Sequence, residues 1–329
     1  MRIFSPMSKG NGAYIVHQEL AERIKGYTAR GYNPYLTLFP LLLPFCCRGT
    51  RPDIIHTTPD YAMFFRKKGV PLVVSFHNIV LDPFMGQHSS FMQNIHYKTD
   101  LRYFTAQALG LASVVTSVSH FVADLVQKEF GYNKEIRVIY NGVDNKKFSP
   151  KKIKQRKKIR VLFSGNLTRR KGAYLLPEIA KKLDDGIEII YTQGLRTGNT
   201  LPPSGRLRNI GSVPFFEMPR VYQGADILLF PTVREGFGLA AAEAMACGLP
   251  VVATNCSSLP ELVVHGRGGY LCELGNVDDF AARINELASS SSLRHQMGEF
   301  NRVRVEENFS MDMMVDGYKK LFSEVVDNP

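Results

Sequence analysis

Short apolar runs alternate with segments of helical spacing along this chain, and this alternation restricts the fold more than any other feature. In the C-terminal half, the apolar runs are 161–163, 187–191, 227–230 and 251–254. The helical segments between them are 173–183, 239–247 and a short one ending at Leu262. Such alternation predicts a parallel sheet covered by helices, with ligands at the carboxyl ends of the strands.

The N-terminal half repeats this pattern more loosely. Its apolar runs are 3–4, 54–55, 72–76, 114–118 and 136–139. A chain of 329 residues is long enough for two domains, each with its own core. The predicted fold class is therefore α/β, with two Rossmann-like, doubly wound domains facing a central cleft. The turn signal at Asn141-Gly142 and the helix breaker Pro150 place the boundary between 1–150 and 151–310.

A basic run, 151–160, holds seven lysines and arginines and no acidic residue in a chain of net charge +11. Such a run is typical of a solvated linker, and an anionic membrane surface is the alternative partner. We expect no nucleic-acid binding.

The longest apolar run, 36–47, contains two prolines and is shorter than the roughly 20 residues of a membrane-spanning helix. The N-terminus has no signal-peptide pattern, so the sequence predicts a cytoplasmic protein.

The segment 231–250 carries the clearest chemical signal. Glu235 precedes the glycine-flanked Phe237, and Glu243 lies in the alanine-rich helical run that follows. A helix that opens near Gly238 would direct its free N–H groups at a ligand, and such an end binds phosphate. Ionised carboxylates accept hydrogen bonds from hydroxyl groups, such as those of a sugar. Phosphate and hydroxyl groups together indicate a nucleotide-sugar.

Several motifs in the same order resemble one family. They are Ser-Gly-Asn-Leu-Thr-Arg-Arg-Lys-Gly at 164–172, Asn-Ile-Gly-Ser-Val-Pro at 209–214, Glu-Gly-Phe-Gly-Leu at 235–239, Glu-Ala-Met-Ala-Cys-Gly-Leu-Pro at 243–250, Leu-Pro-Glu-Leu at 259–262 and Gly-Gly-Tyr-Leu at 268–271. Together they resemble the retaining glycosyltransferases of family 4, which have the GT-B fold. The resemblance implies an acceptor-binding domain at 1–150 and a nucleotide-sugar-binding domain at 151–310. It also implies that a terminal helix, 311–329, crosses back to the first domain.

A departing nucleoside diphosphate gains negative charge, which a metal ion or fixed cations must neutralise. The sequence has no Asp-x-Asp after a strand, so we expect no metal site. Arg170 and Lys171, just before Gly172 at the start of a helical segment, are the best candidates for the cations. The chain departs from the family here, because Gly165-Asn166-Leu stands where Gly-Arg-Leu is common.

The resemblance also assigns roles to single residues. Glu235 would contact the transferred sugar, Glu243 the ribose, and the backbone around Ile210 would frame the base. His77, at the end of a strand, would help to hold the sugar, and Gly12 would approach the diphosphate. The implied catalytic residues are His77, Arg170, Lys171 and Glu235; the implied donor-binding residues are Gly12, Gly165, Asn166, Ile210, Gly236, Phe237, Gly238, Leu239 and Glu243.

The function that the resemblance implies is metal-independent, retaining transfer of a sugar by front-side displacement, without a cofactor. The donor would be a nucleotide-sugar such as a UDP- or GDP-sugar, and the acceptor a saccharide or lipid-linked glycan. The positive charge and the apolar run 36–45 would allow peripheral contact with an anionic membrane, at its inner face. The alternative, based on Asn166, is a catalytically inactive nucleotide-sugar-binding partner subunit.

Overall fold

The computed structural model describes residues 1–87, 91–151, 157–194, 200–202 and 204–327. The chain forms two compact units, one of residues 1–141 with 312–329 and one of residues 142–311. The sequence prediction places the boundary at residue 150, beyond the observed end of the first unit. Residues 142–150 belong to the second unit because Val143 pairs with Ser310 and Phe148 packs on Tyr222. Most of the basic run, 152–156, lies outside the described residues.

The first unit contains a six-stranded parallel sheet in the order β2-β1-β3-β4-β5-β6. Its strands are β1 (Ile3–Ser8), β2 (Tyr27–Tyr32), β3 (Ile54–Thr57), β4 (Leu72–Phe76), β5 (Val114–Ser117) and β6 (Ile136–Val138). Its helices are α1 (Gly12–Arg23), α2 (Pro83–Gly86), α3 (Phe91–His96), α4 (Arg102–Leu111) and α5 (His120–Phe130). Three 3₁₀ segments, Pro34–Leu38, Pro40–Cys47 and Pro59–Phe65, and the π-helical turn Tyr97–Leu101 complete it.

The second unit contains another six-stranded parallel sheet, in the order β12-β11-β10-β7-β8-β9. Its strands are β7 (Ile159–Phe163), β8 (Ile187–Tyr191), β9 (Leu207–Asn209), β10 (Ile227–Phe230), β11 (Val251–Thr254) and β12 (Gly269–Cys272). Its helices are α6 (Leu176–Lys181), α7 (Met218–Gln223), α8 (Leu239–Ala246), α9 (Leu259–Leu262), α10 (Val277–Ser289) and α11 (Ser291–Asn308). Short 3₁₀ turns precede α6 and α7, at Ala173–Leu175 and Phe215–Glu217.

The last helix, α12 (Met311–Asp327), packs within the first unit. Its side chains Met314, Tyr318, Leu321, Phe322 and Val325 are buried, which is the apolar face that the sequence pattern predicts. Phe322 lies against His56 and Tyr27 of the sheet, with ring centroids 5.3 and 6.1 Å away.

The apolar runs form strands because these strands are buried in the two cores. Strands such as β10 and β11 are buried at every position, as expected for parallel strands covered on both faces. In the second unit they pack with Ile179, Phe280 and Ile284 of the flanking helices. In the first unit, Val122 and Val126 of α5 pack on the sheet, and Ser119 caps that helix by accepting a hydrogen bond from the Val122 N–H.

Candidate functional site

The strand order of the second unit identifies where a ligand is expected. From β9 to β12 the sheet reads β9-β8-β7-β10-β11-β12, so the strand order reverses between β7 and β10. In sheets of this kind, ligands bind beyond the carboxyl ends of the strands at the point of reversal. The loops that leave β7 and β10 are 164–172 and 231–238, which hold the two richest sequence motifs. Topology and motif therefore indicate the same place.

The loop after β10 ends at the open N-terminus of α8. Gly238 takes a left-handed conformation, with φ of 100°, and no side chain caps the helix. Leu239 and Ala240, at the first two helical positions, are half-buried, whereas the positions from Ala241 to Ala246 are buried. The first-turn N–H groups and the positive end of the helix dipole thus suit an anionic ligand. The helix begins where the sequence predicts it.

Glu235 and Lys171, one from each of these two loops, form an ion pair. The Lys171 Nζ donates to Glu235 Oε1 at 2.5 Å, and both side chains are mostly buried. Thr232 donates from its hydroxyl to the same carboxylate oxygen at 2.8 Å. The Glu235 N–H donates to the Ser257 Oγ at 3.0 Å, and the Ser258 hydroxyl donates to the backbone oxygens of Glu235 and Phe237. Glu235 is therefore held by hydrogen bonds to both its carboxylate and its backbone.

The loop after β7 packs directly on the loop after β10. The carbonyl oxygen of Arg170 accepts from the Val233 N–H at 2.8 Å and lies 3.1 Å from the Thr232 hydroxyl oxygen. Gly172, with φ of 72°, makes this approach possible, because a Cβ there would lie 1.9 Å from the Pro231 carbonyl oxygen. Contrary to the predicted continuous helix over 173–183, the loop leads into a 3₁₀ turn and then the short α6, which has Pro177 in its first turn.

The three consecutive basic residues of this loop, 169–171, differ in their contacts and exposure. Lys171 pairs with Glu235, and its Nζ lies 5.4 Å from the centre of the Phe230 ring. The exposed Arg169 lies over the Tyr174 ring. The half-buried Arg170 has no ion-pair partner among the residues that the structure describes. Arg170 is thus a cation whose charge is available to a ligand.

Gly165 and Asn166 begin the same loop, beside the end of β8. The Gly165 N–H donates to the Thr192 hydroxyl at 3.0 Å. Asn166 packs against Gly194, where an added Cβ would come within 2.3 Å of its Oδ1. The turn that holds Ile210 is fixed nearby, because the Ile210 N–H donates to the Tyr191 carbonyl and the Ser212 hydroxyl donates to the Gly194 carbonyl. The stretch around Ile210, which is predicted to frame the base, therefore lies next to Asn166, the residue at which the chain departs from the family motif.

Glu243 lies on α8, in the second turn from the open end, and is 9% exposed. The hydroxyl of Tyr222, which is fully buried, donates to its Oε2 at 2.8 Å and lies 3.3 Å from the Ser164 Oγ. Burial raises the pKa of Glu243 to about 7, although the Tyr222 hydrogen bond acts in the opposite direction. This carboxyl therefore changes charge close to neutral pH.

Two sets of sequence matches support one family. Residues 2–147 match the family model described as Glycosyltransferase Family 4, and residues 201–304 match that described as Glycosyl transferases group 1. An uncharacterized glycosyltransferase of Methanocaldococcus jannaschii is 30% identical over 84% of this chain and 76% of its own length. The chain belongs to glycosyltransferase family 4.

Further comparisons agree with this family 4 assignment. N-acetyl-alpha-D-glucosaminyl L-malate synthase of Bacillus anthracis is 28% identical over 65% of this chain, and the chain spans 60% of that relative's length. The structure of Anabaena HepE in complex with UDP and glucose superposes with a TM-score of 0.77 at 19% identity, covering 98% of this chain and 99% of that one. The fold is therefore GT-B, as the sequence predicts.

The two predicted site residues of the first unit, Gly12 and His77, follow the strands β1 and β4. Gly12 begins α1, is exposed, and has open space around its Cα. The preceding residue, Asn11, caps α1 by accepting from the Tyr14 N–H at 2.7 Å. His77 follows β4, is half-buried, and has its Nε2 3.1 Å from the Nε2 of His17. Burial lowers the pKa of His77 to about 4, so the ring is neutral at pH 7.

Sequence reasoning missed several side chains that hold the site. Thr232, Ser257 and Ser258 fix Glu235, Tyr222 fixes Glu243, and His17 contacts His77. Thr232, Ser257 and Ser258 belong to loops next to recognised motifs, so strand-end position could have indicated them. Tyr222 and His17 lie on helices and reach the site only through tertiary packing.

The described residues lack two further kinds of feature. No helix in that part of the chain is long and apolar enough to cross a membrane. No group of three or more His, Cys, Asp or Glu side chains there could hold a metal ion.

Proposed function

We propose that this protein transfers a sugar from a nucleotide-sugar donor to a saccharide or lipid-linked glycan acceptor, with retention of anomeric configuration and without a metal. One arrangement supports this proposal: the Lys171–Glu235 pair, Arg170 and the open end of α8 all belong to the two loops, and the helix start, that follow the strands where the strand order reverses. These groups supply fixed positive charge and hydroxyl acceptors together, which is the chemistry that a sugar diphosphate requires.

The proposed roles follow from these contacts. Arg170 and the N-terminus of α8 would bind the diphosphate, together with the backbone of Gly236, Phe237 and Gly238. Lys171 has three N–H donors, so it can keep its contact with Glu235 and also donate to a phosphate oxygen. Glu235 would then accept hydrogen bonds from hydroxyls of the transferred sugar. Glu243 would accept from the ribose.

The remaining donor contacts rest on the family resemblance. Gly165 and Asn166 would approach the diphosphate, and Ile210 and Leu239 would complete the nucleotide contacts through their backbones. From the first unit, Gly12 would contact the diphosphate and His77 the sugar. The complex of HepE with UDP and glucose supports a nucleotide-sugar as the kind of donor.

The proposed reaction is a front-side displacement. The bond between the anomeric carbon and the leaving phosphate oxygen breaks, and its electron pair stays on the diphosphate. The acceptor oxygen forms a bond to the same face of that carbon, and its proton passes to an oxygen of the β-phosphate. Arg170 and Lys171 stabilise the charge that develops on the diphosphate.

Acceptor-dependent release of nucleoside diphosphate tests this function. We expect turnover from one member of a panel of UDP-, GDP- and ADP-sugars in the presence of EDTA, with retention seen by NMR of the product. Glu235→Gln should lower kcat by about 10²-fold or more. Glu188→Gln is the matched control, because Glu188 also forms a mostly buried ion pair in the second unit, with Arg160 at 3.0 Å.

Three outcomes contradict parts of the proposal. Loss of turnover with EDTA that Mg²⁺ restores would exclude the metal-independent mechanism, and inversion would exclude front-side displacement. Selective nucleotide binding without turnover over the whole donor and acceptor panel would favour the inactive partner subunit. That alternative has one supporting observation, Asn166 in place of the family's arginine.

We also propose that the first unit contacts an anionic membrane through the 34–47 face, formed by the segments Pro34–Leu38 and Pro40–Cys47. Its apolar side chains are largely exposed: Tyr35 77%, Leu38 71%, Phe39 66%, Leu41 79% and Phe45 50%. Arginines border it, since Arg48 stacks on Phe45 at 4.1 Å and Arg30 donates to the Cys46 carbonyl. Apolar side chains bordered by cations suit the boundary between acyl chains and anionic headgroups.

Sedimentation with vesicles tests the membrane contact. The protein should bind phosphatidylglycerol-containing vesicles more than pure phosphatidylcholine vesicles, and Leu38→Ser with Leu41→Ser should weaken that binding. Phe216→Ser is the control, because Phe216 is equally exposed, at 78%, but lies in the second unit. Equal binding by the double variant and the native protein would exclude this face as the contact.

A further inference from the structure

A buried polar network lies within the first unit and ends at His77. It joins side chains from five neighbouring strands and two helices: Ser5, His17, Tyr27, His56, Ser75, Thr116 and Tyr318. His17 and His56 are both completely buried. Buried polar groups are costly unless they are hydrogen-bonded, and each contact here is between 2.5 and 3.3 Å. The network therefore fixes the rings that belong to it.

His17 is held at both ring nitrogens. Its Nδ1 lies 2.7 Å from the Ser5 Oγ and 2.8 Å from the Tyr27 hydroxyl, and its Nε2 lies 3.1 Å from the Nε2 of His77. A ring fixed at two edges cannot rotate without breaking buried hydrogen bonds. His17 therefore presents its Nε2 to His77 in one orientation.

This contact uses one of the two nitrogens of His77. Within the described residues, the Nδ1 of His77 makes no hydrogen bond. Burial lowers the pKa of His77 to about 4 and that of His17 well below its ordinary value, so both rings are neutral near pH 7. Two neutral rings share a single proton between their Nε2 atoms. The tautomer of His77 is thus coupled to that of His17.

We infer that His17 is a positioning residue that fixes the ring of His77, through the Nε2–Nε2 hydrogen bond, so that Nδ1 is the atom that contacts the donor sugar. This inference rests on the proposed function, in which His77 binds that sugar. The hydrogen-bond network gives the physical reason, because it removes the rotational freedom of His77 before the ligand binds. Reacting groups must be held closely, since a displacement of about 1 Å can cost about 10²-fold in rate.

A double-mutant cycle tests the inference. His17→Phe keeps an aromatic ring but removes both nitrogens, and it should lower kcat for sugar transfer by about 10- to 10²-fold. His17→Gln keeps a donor and an acceptor and should restore part of that rate. In the His77→Ala background, His17→Phe should cause no further loss, because His17 acts only through His77. Affinity for the nucleoside diphosphate alone should be unchanged, since that ligand lacks the transferred sugar, which is the group that His77 contacts.

The outcomes separate the inference from the proposed function. Native protein that neither binds nucleotides nor turns over any donor would overturn the function. If the native enzyme is active and His17→Phe has the same kcat, the inference is overturned but the proposed function is not. If the losses of kcat in His17→Phe and His77→Ala add in the double variant, or if His17→Phe loses nucleotide affinity to the same extent, His17 has a structural role instead.

Nitrogen-15 NMR of the full native chain provides a test that needs no variant to fold. The His77 imidazole should remain neutral, in a single tautomer, from about pH 6 to about pH 8, whereas a free histidine titrates near 6.5. Signals that average two tautomers would show that His17 does not fix the ring and would contradict the inference.

Discussion

Glu243 shows at the residue scale how the fold changes the chemistry of a single side chain. The sequence predicts an ionised carboxylate at this position, but burial raises its pKa to about 7. The carboxyl is therefore largely protonated in slightly acidic solution. Hydrogen bonds from ribose hydroxyls favour the ionised form, so a ligand that makes them must lower this pKa.

We predict that nucleoside diphosphate affinity rises with pH through the region near 7. Binding should also release protons below that pH, because the ligand shifts the Glu243 carboxyl towards its charged form. Calorimetry in two buffers of different ionisation enthalpy measures the released protons. Glu243→Gln is the control, since it keeps the shape and the titration of the phosphate but loses that of the carboxyl. The same proton release in both proteins would contradict the assignment.

The same pKa has a consequence for stability. The pKa of Glu243 in the folded protein is raised above the unfolded value near 4.5, so the folded state holds a proton that the unfolded state has lost. The contribution of this group to stability is therefore largest below pH 4.5 and falls as the pH rises to about 7.

Single residues also show what sequence could and could not predict. Glu235, Lys171 and Gly238 belong to local motifs, and the structure brings them to one place, although their roles stay predictions. Tyr222 and His17 carry no local signal. Tyr222 contacts Glu243 across 21 residues of chain, and His17 contacts His77 across 60. Only tertiary packing creates such contacts, so a single sequence does not reveal them.

At the scale of elements, the central strands and the edge strand β6 were predictable, whereas the other three edge strands were not. Strands β4, β8, β10 and β11 begin and end where the apolar runs do. The edge strand β2 has the sequence Tyr-Thr-Ala-Arg-Gly-Tyr, whose interior side chains are partly exposed. It therefore lacks the apolar run that marks a buried strand. The edge strands β9 and β12 were missed as well, and β9 also has polar, exposed residues.

The packing of one loop on another leads to a prediction at this scale. Gly172→Ala should destabilise the protein and weaken nucleotide binding, because the new methyl group would collide with the Pro231 carbonyl and displace Arg170 and Lys171. Gly186→Ala is the matched control, since its φ is also positive, at 84°, but the space around it is open. The left-handed conformation alone costs both variants about 1 kcal/mol.

Urea denaturation and calorimetry measure the two effects. Gly172→Ala should lose more stability than Gly186→Ala and should be the variant with reduced nucleotide affinity. Equal behaviour of the two variants would show that the contact between the loops does not position the cations.

At the scale of the whole molecule, the two units follow different strand orders, and the second one locates the proposed donor site. Its order reverses between β7 and β10, so both motif loops leave the sheet at adjacent strand ends. In the first unit, the order β2-β1-β3-β4-β5-β6 reverses between β1 and β3. The family assignment, the topology of the second unit and its charged side chains lead to one central claim: fixed cations of the second unit bind a nucleoside diphosphate.

Isothermal titration of UDP, GDP and ADP into the full chain, with EDTA present, tests this binding. We expect one nucleotide to bind, and we expect Arg170→Ala and Lys171→Ala each to weaken its affinity by about tenfold or more, since charge-assisted hydrogen bonds contribute about 1.5–3 kcal/mol. Arg169→Ala, at the neighbouring exposed arginine over Tyr174, should bind almost as the native protein does. No binding of any of the three nucleotides, or equal losses of affinity in all three variants, would contradict this expectation.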